Sequence, residues 1–311
     1  NWATLSEIAF YKQDKVADKV ESLFTNGLMN KLSEDFNTEE KLQALKDETN
    51  GHPLESTFRD SFEIANKILN GKLETVKVIT AEQHGDMVAH ANKNLKFGFG
   101  NNNQPTGISA KPGDEITVYV DADPSQPMPK LAFSQQEGSF ANWMRTVNLN
   151  AGKNVITVPD IAIDSWYNHD VTRGGSIYII NPYTPEEQSK APVIRFESGN
   201  KYPFLTENTN VDEFKDFLIE YKKAIDEDIA KNSNVLDREV LDVFEFVSDH
   251  IVWTGTATGA YEAYIEQGAN PLDTVNRYNN HMKELFRYYG LDGRNEQNDP
   301  KFIRENVRLA Q

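Results

Sequence analysis

Hydrophobic residues follow three successive patterns along this chain. From residue 1 to about residue 95 they recur every three or four positions, as at Phe58, Phe62, Ala65 and Ile68, which is the spacing of one face of an α-helix. Asn-Gly pairs interrupt this pattern three times, where they would end helices of ordinary length. The first third of the chain is therefore predicted to be a small helical domain.

Between residues 96 and 204 the pattern changes to alternation. Ile116, Val118 and Val120 fall on one face of an extended strand, while Thr117 and Tyr119 fall on the other. Several runs of this kind are short and are separated by Gly, Pro and Asn, as expected for antiparallel strands joined by turns. The sequence predicts an antiparallel β-sandwich for this region.

From residue 205 to residue 311 the helical period returns. Asn210 followed by Glu213 is a capping pair at the start of an apolar stripe, and Pro271 opens a helix that stops at Gly290. Between these, residues 237–252 are apolar on more than one face and are predicted to form a buried helix, followed by a loop at 254–259. The fold class is thus multidomain α+β, with a helical domain at 1–95, a β-sandwich at 96–204 and a helical region at 205–311.

Composition narrows the classes of partner. The formal charge of −16 opposes binding to nucleic acid and to anionic membrane surfaces. No apolar run approaches the ~20 residues that span a bilayer. Cysteine is absent, so the chain has neither disulfides nor thiolate ligands. Because the first residue is Asn1 rather than Met, an N-terminal segment, which could include a secretory signal, is expected to have been removed.

Polar clusters do not define a catalytic or metal site. No two of the six histidines are four residues apart, and His84 and His90, six apart, would point about 240° from each other on a helix. Asp121 and Asp123 could bind calcium or form a turn, and the turn is the favoured interpretation. The run 101–103, three asparagines, is also interpreted as a turn. No residue is assigned a catalytic or metal-binding role.

Aromatic residues are the remaining candidates for recognition. Trp143, Trp166 and Tyr167 are predicted in or beside loops of the sandwich, with Asn142 and Asn168 next to them. Aromatic rings with neighbouring amides suit the apolar faces and hydroxyl edges of sugars. These three residues are therefore glycan-binding candidates, with packing in the core as the alternative. Trp253, which follows two apolar residues, is assigned to the core.

Several longer stretches resemble the enhancin-like, mucin-targeting zinc metallopeptidase family. They are the strand-like run 105–123, the run 173–205 with its Gly-Gly-Ser-Ile-Tyr-Ile-Ile-Asn-Pro-Tyr core, and the segments 288–292 and 305–308. The resemblance covers about two thirds of the chain, and the helical first third has no counterpart in it. It implies a sandwich followed by a gluzincin-like catalytic core, in which a His-Glu-x-x-His helix holds zinc. That motif is absent from this sequence.

The resemblance implies that the chain is the N-terminal, non-catalytic part of a secreted or cell-surface zinc metallopeptidase. Zinc and a mucin or other O-glycoprotein substrate are implied for the intact family member, whereas this chain alone is not expected to hold a cofactor or to cleave protein. The alternative is a free-standing glycan-binding or adhesion module without protease activity. A purely structural surface protein without a ligand is the third interpretation.

Overall fold

The computed structural model describes residues 14–95, 101–134, 144–160, 174–300 and 303–308. Its Cα packing divides the chain into two compact units, one up to Glu74 and the other from Thr75 onward. In the first unit, helices α1 to α3 span Lys15–Glu21, Glu39–Thr49 and Glu55–Leu69, with a 3-10 turn at Glu34–Phe36.

Helical periodicity accounts for the core of this first unit. Phe58, Phe62 and Ala65 are buried on one face of α3, as their spacing predicts, and they pack with Leu42 and Leu45 of α2. Asp14 is the N-cap of α1. Its Oδ1 accepts hydrogen bonds from the backbone N–H groups of Val16 and Ala17.

The second unit begins with a sandwich-like pair of antiparallel sheets. Nine strands contribute: β1 Lys77–Thr80, β2 Asn103–Ser109, β3 Glu115–Asp121, β4 Lys130–Ser134, β5 Met144–Asn148, β6 Gly152–Thr157, β7 Ser176–Ile180, β8 Val193–Phe196 and β9 Asn200–Lys201. One sheet has the order β1-β8-β3-β6 and the other β5-β4-β7-β2-β9. Side chains from both sheets form one core, which includes the predicted inward residues Ile116, Val118 and Val120.

The outward face of the first sheet contains a buried cation. Arg195 of β8 is fully buried, and its guanidinium lies 4.0 Å from the ring centroid of Tyr119 on β3. Burial lowers the pKa of Arg195, while Tyr119 and Glu197 act to raise it. Stacking on the aromatic face compensates part of the cost of removing the guanidinium from water.

A mixed sheet with surrounding helices completes the second unit. Strands β10 Phe204–Thr206, β11 Phe244–Val247, β12 Ile251–Gly255 and β13 Glu305–Arg308 lie in that order, with parallel pairs at both ends and an antiparallel pair between them. The helices are α4 Met87–His90, α5 Val211–Lys231, α6 Ala257–Tyr261 and α7 Pro271–Tyr288, with π-helical turns at Ala91–Leu95 and Glu262–Glu266 and 3-10 turns at Val235–Asp237 and Glu296–Asn298.

Helices α5 and α7 confirm their sequence signals. The side chain of Asn210 accepts from the N–H groups of Asp212 and Glu213, and Asn270 caps α7 directly before Pro271. The buried stripe of α5 is narrower than the apolar pattern, because Phe217 is 37% exposed and Ile229 42%. Helix α7 ends at Tyr288, ahead of Gly290 with φ of 74°.

The predicted helix at 237–252 is wrong. Strands β11 and β12 occupy the second half of that range, joined by a turn at 248–250, and β12 continues into the predicted loop at 254–259, where α6 then begins. Most residues of both strands are buried, so neither strand shows the alternation that marks a half-exposed strand. A short continuous apolar run cannot be distinguished from a buried helix by its period alone.

Candidate functional site

The three glycan-binding candidates, Trp143, Trp166 and Tyr167, lie outside the residues that the structure describes. Their role in recognition therefore stays a prediction. Trp253, which the sequence assigns to the core, packs against it as expected. Its ring is stacked on Phe246 at 5.9 Å between centroids and also contacts Tyr278.

The two aspartates considered for calcium have other partners. Asp123 Oδ1 accepts hydrogen bonds from the backbone N–H and the hydroxyl of Ser125, at 2.9 Å and 2.6 Å, and these bonds lower the pKa of its carboxyl. Asp121 Oδ2 lies 2.6 Å from Lys190 Nζ. Such contacts are those of a turn and an ion pair, which favours the turn interpretation.

The histidines that the structure describes do not assemble a metal centre. His90 Nε2 lies 3.1 Å from the carbonyl oxygen of Asp299, and His250 Nδ1 lies 2.9 Å from that of Ile303. Within the described ranges no group of three His, Asp or Glu side chains comes together as metal ligands. These residues do not fit the zinc that the resemblance implies for an intact enzyme.

A polar cleft lies where the sandwich meets the approach to β13. Ten residues line it: Glu82, His84, Gly85, Met87, Asn101, Asn102, Asn103, Gln104, Asn181 and Arg304. They come from the connection between β1 and β2, the first two residues of β2, the residue after β7 and the residue before β13. We call this group of residues the junction cleft.

One ion pair crosses the junction cleft. Arg304 Nη2 lies 2.8 Å from Glu82 Oε1, and His84 Nε2 lies 3.8 Å from Glu82 Oε2. The pKa of His84 is lowered, chiefly by burial and also by Arg304, although Glu82 acts in the opposite direction. Burial therefore favours the neutral form of the His84 imidazole, and the charges of Glu82 and Arg304 balance each other.

Side-chain amides of the junction cleft hold backbone segments that no sheet ladder connects. Asn181 Nδ2 donates to the carbonyl of Glu82 at 2.9 Å, and the N–H of Glu82 donates to Gln104 Oε1 at 3.0 Å. Asn101 Nδ2 donates to the carbonyl of Arg304 at 3.1 Å. The cleft is consequently a fixed arrangement in which strands distant in the sequence are tied together.

A buried carboxylate joins the sandwich to the mixed sheet. Glu245 of β11 is fully buried and accepts hydrogen bonds from the hydroxyls of Tyr178, Tyr202 (2.6 Å) and Thr254 (3.0 Å). Burial, followed by the charge of Glu245, raises the pKa of Tyr202 well above its ordinary value. We call these four residues the Glu245 cluster.

A half-buried lysine lies near the Glu245 cluster. Lys77 Nζ donates to the carbonyl of Thr106 at 2.5 Å and lies 4.6 Å from the ring centroid of Phe204. Burial and Lys201 lower the pKa of Lys77, whereas the charge of Glu245 raises it. Because Glu245 has no exposed surface, the cluster connects two sheets and does not present a carboxylate to a substrate.

Sequence reasoning did not single out the junction cleft or the Glu245 cluster. Their members are distant in the sequence and follow no spacing that a motif would show. Two local signals fall on the junction cleft: His84, to which the sequence assigns no role, and the run of asparagines at 101–103, which the sequence predicts to be a turn. Asn103 in fact begins β2.

No family model and no curated protein matches the chain. Solved structures do match. A chain comprising the CBM32-1, CBM32-2 and M60 catalytic domains of ZmpB from Clostridium perfringens superposes with a TM-score of 0.81 and 28% identity, covering 97% of this chain and 31% of that one. The chain is similar to M60 metallopeptidases. The catalytic module of the metalloprotease ZmpA from the same organism has a TM-score of 0.67 and 32% identity, covering 77% of this chain and 46% of that one.

Two further structures extend the likeness. The M60 catalytic domain of ZmpC from C. perfringens, solved with the sialyl T antigen, has a TM-score of 0.61 and 29% identity, covering 75% of this chain and 43% of that one. A metallopeptidase from Bacteroides thetaiotaomicron shares the fold at 17% identity with a TM-score of 0.58, covering 97% of this chain and 44% of that one. These likenesses support the enhancin-like resemblance, and this chain spans about a third to a half of the length of the M60 structures.

The similarity to ZmpB reaches beyond the part that the sequence resemblance covered. At 97% coverage it includes most of the helical first third, for which the sequence indicated no counterpart. The shares of 77% and 75% found with ZmpA and ZmpC are close to the share of the chain that follows Glu74.

Proposed function

We propose that this chain is the non-catalytic N-terminal portion of a secreted zinc metallopeptidase that acts on O-glycosylated, mucin-like proteins. The observation that carries the proposal is the likeness over 97% of this chain to a ZmpB chain that includes an M60 catalytic domain and of which this chain covers only 31%. In this proposal the zinc ligands lie outside the described residues, which contain no group of three that could hold a metal.

The proposed role of the chain is to support the catalytic region and to position the substrate. The Glu245 cluster supports this role because it fixes the sandwich against the mixed sheet through hydroxyls on β7, β12 and the segment before β10. Secretion and contact with host mucins belong to the same proposal. Within the described residues no helix is long and apolar enough to cross a bilayer.

Extending the protein through the region that follows Gln311 in its gene tests the proposal. The extended protein should bind zinc and cleave an O-glycoprotein such as mucin, whereas the 311-residue chain should do neither. Removal of zinc by a chelator should stop cleavage, and added zinc should restore it, which would show that the activity depends on zinc. An extended protein that binds no zinc and leaves mucin intact would show that the proposal is wrong.

A glycan-binding module is the second candidate, favoured by the M60 domain of ZmpC having been solved with the sialyl T antigen. In this case the 311-residue chain should be retained on immobilised mucin, and alanine at Trp143, Trp166 or Tyr167 should abolish retention. Retention that is unchanged in all three variants would exclude these residues as the binding site. No retention of the unmodified chain would exclude the candidate itself.

A further inference from the structure

The mixed sheet has an open edge at β13. Among the strands that the structure describes, β13 has a neighbour on one side only, where it pairs parallel with β12. The N–H of Glu305 donates to the carbonyl of His250, directly before β12, at 2.9 Å. Backbone groups of successive residues in a strand face opposite sides, so those of Asn306 and Arg308 face away from β12. These are the groups with which a further strand would pair.

The apolar surface of the mixed sheet continues up to this edge. Phe246, Trp253 and Val307 are paired in register across β11, β12 and β13 and therefore lie on one face. Tyr278 of α7 packs over Phe246 and Trp253, with 5.1 Å between ring centroids in each case. Trp253 and Val307 nevertheless keep exposed surface, although both pack against the core. A neighbouring strand at β13 would cover Val307 and extend this apolar row.

The sequence of β13 favours pairing. Proteins commonly protect an edge strand with lysine, proline or a bulge, or they cover it, because its exposed backbone otherwise pairs with another strand. The two central residues of β13, Asn306 and Val307, are neither charged nor proline. The centre of β13 thus carries none of the side chains that prevent the addition of a strand.

Distance along the chain indicates which strand that would be. Arg308, the last residue of β13, is three residues before Gln311, and three extended residues span at most about 11 Å. A segment joined through so short a connection has an effective concentration in the millimolar range, which a separate chain rarely reaches. The formal charge of −16 on each copy also opposes pairing with a second copy.

The similar solved structures contain further polypeptide. The match to the ZmpA module covers 46% of that module, so about half of it has no counterpart in this chain. We propose that the polypeptide following Gln311 adds a strand to the mixed sheet at β13, so that this chain and the catalytic region share one sheet. The inference rests on the proposed function, in which the catalytic region follows Gln311.

Amide hydrogen exchange, resolved to single residues in the 311-residue chain and in the extended protein, tests this proposal. The N–H groups of Asn306 and Arg308 should exchange rapidly in the 311-residue chain. In the extended protein they should exchange at least about a hundredfold more slowly, because a hydrogen-bonded amide exchanges only when its strand opens. The N–H groups of Glu305 and Val307, which face β12, are the internal control and should be protected in both proteins.

Two results of the exchange measurement would overturn the proposal. One is rapid exchange of Asn306 and Arg308 in the extended protein. The other is their protection already in the 311-residue chain: protection that rises with protein concentration would show that a second copy is the neighbour, and protection independent of concentration would show that the chain covers its own edge.

The same extended protein separates this proposal from the proposed function. Zinc-dependent cleavage of mucin together with rapid exchange at Asn306 and Arg308 would reject the added strand and retain the protease. Slow exchange at both residues without zinc binding would retain the added strand and reject the protease.

A pair of proline variants provides a second test. Arg308→Pro removes an N–H that faces away from β12, so it should change the thermal midpoint of the 311-residue chain by no more than about 1 °C and lower that of the extended protein by several degrees. Val307→Pro, the matched control, removes an N–H that faces β12 and should lower both midpoints. An equal effect of Arg308→Pro on the two proteins would contradict the proposal. If a variant fails to fold, the exchange comparison decides, because it needs no substitution.

Discussion

At the scale of single residues, Glu245 links the sandwich to the mixed sheet through the hydrogen bonds of its buried carboxylate. Three hydroxyls donate to its carboxylate in a site without solvent. Glu245→Ala would leave those hydroxyls without their acceptor, and each buried unpaired polar group costs about 1–3 kcal/mol. We expect urea denaturation to show a free energy of unfolding lower by about 3 kcal/mol or more.

An exposed glutamate provides the control for that prediction. Glu207 is exposed in the turn after β10, so Glu207→Ala should change the free energy of unfolding by no more than about 0.5 kcal/mol. An equal, small effect of both substitutions would mean that the Glu245 cluster does not hold the two sheets together.

A second prediction for a single residue is that His84 makes the stability of the folded chain depend on pH. Because its pKa is lowered in the folded chain, the unfolded chain binds the proton more readily, and the stabilising contribution is present above the ordinary value of 6.5. That contribution is lost as the pH falls through the folded pKa. Between about pH 7 and about pH 5.5, the thermal midpoint should therefore fall further for the unmodified chain than for His84→Gln.

Comparing the unmodified chain with His84→Gln separates the effect of His84 from that of the carboxylates, which titrate in both. Glu82 and Arg304, the charged groups that face the imidazole, are retained in both. Parallel curves for the two proteins across this range of pH would show that His84 does not contribute to the acid sensitivity.

At the scale of elements, the start of α7 offers a local test. Asn270 Oδ1 accepts from the N–H of Leu272 at 3.1 Å and caps the helix. Asn270→Ala should lower the free energy of unfolding by about 1 kcal/mol, measured by chemical denaturation. Asn280→Ala, at an exposed position inside the same helix, should be neutral or slightly stabilising because alanine is the better helix former. Equal destabilisation by both would contradict a capping role.

Helices that begin at a capping residue were predictable from the sequence. Strands that are buried on both faces were not. Asn210 and Asn270 cap the starts of α5 and α7 through hydrogen bonds to residues two or three positions later, so the local sequence predicts where these helices begin. Strands β11 and β12 owe their positions to neighbours that cover both faces, and their continuous apolar character matched a helix equally well. The domain boundaries at 95 and 204 stay predictions, as do the aromatic glycan candidates.

The junction cleft, like the two buried strands, was not predictable from the sequence. Asn103, Asn181 and Arg304 are brought together by the order of strands in two sheets, since Asn103 begins β2, Asn181 follows β7 and Arg304 precedes β13. No spacing rule relates such residues. Only the three-dimensional arrangement brings these residues to the lining of one cleft.

At the scale of the whole molecule, the two compact units have separate hydrophobic cores. Leu45 belongs to the core of the first unit and Phe133 to the sandwich core of the second, and each is almost fully buried. Units with independent cores can unfold in separate transitions. Differential scanning calorimetry of the 311-residue chain should therefore show two transitions.

Truncation in each core assigns those transitions. Leu45→Ala should lower the midpoint of one transition and Phe133→Ala that of the other, because removal of a buried large side chain costs about 2–5 kcal/mol within its own cooperative unit. The unit that Leu45→Ala does not destabilise should keep its midpoint. A single transition that shifts with either substitution would contradict this prediction. It would mean that the two units unfold together as one cooperative unit.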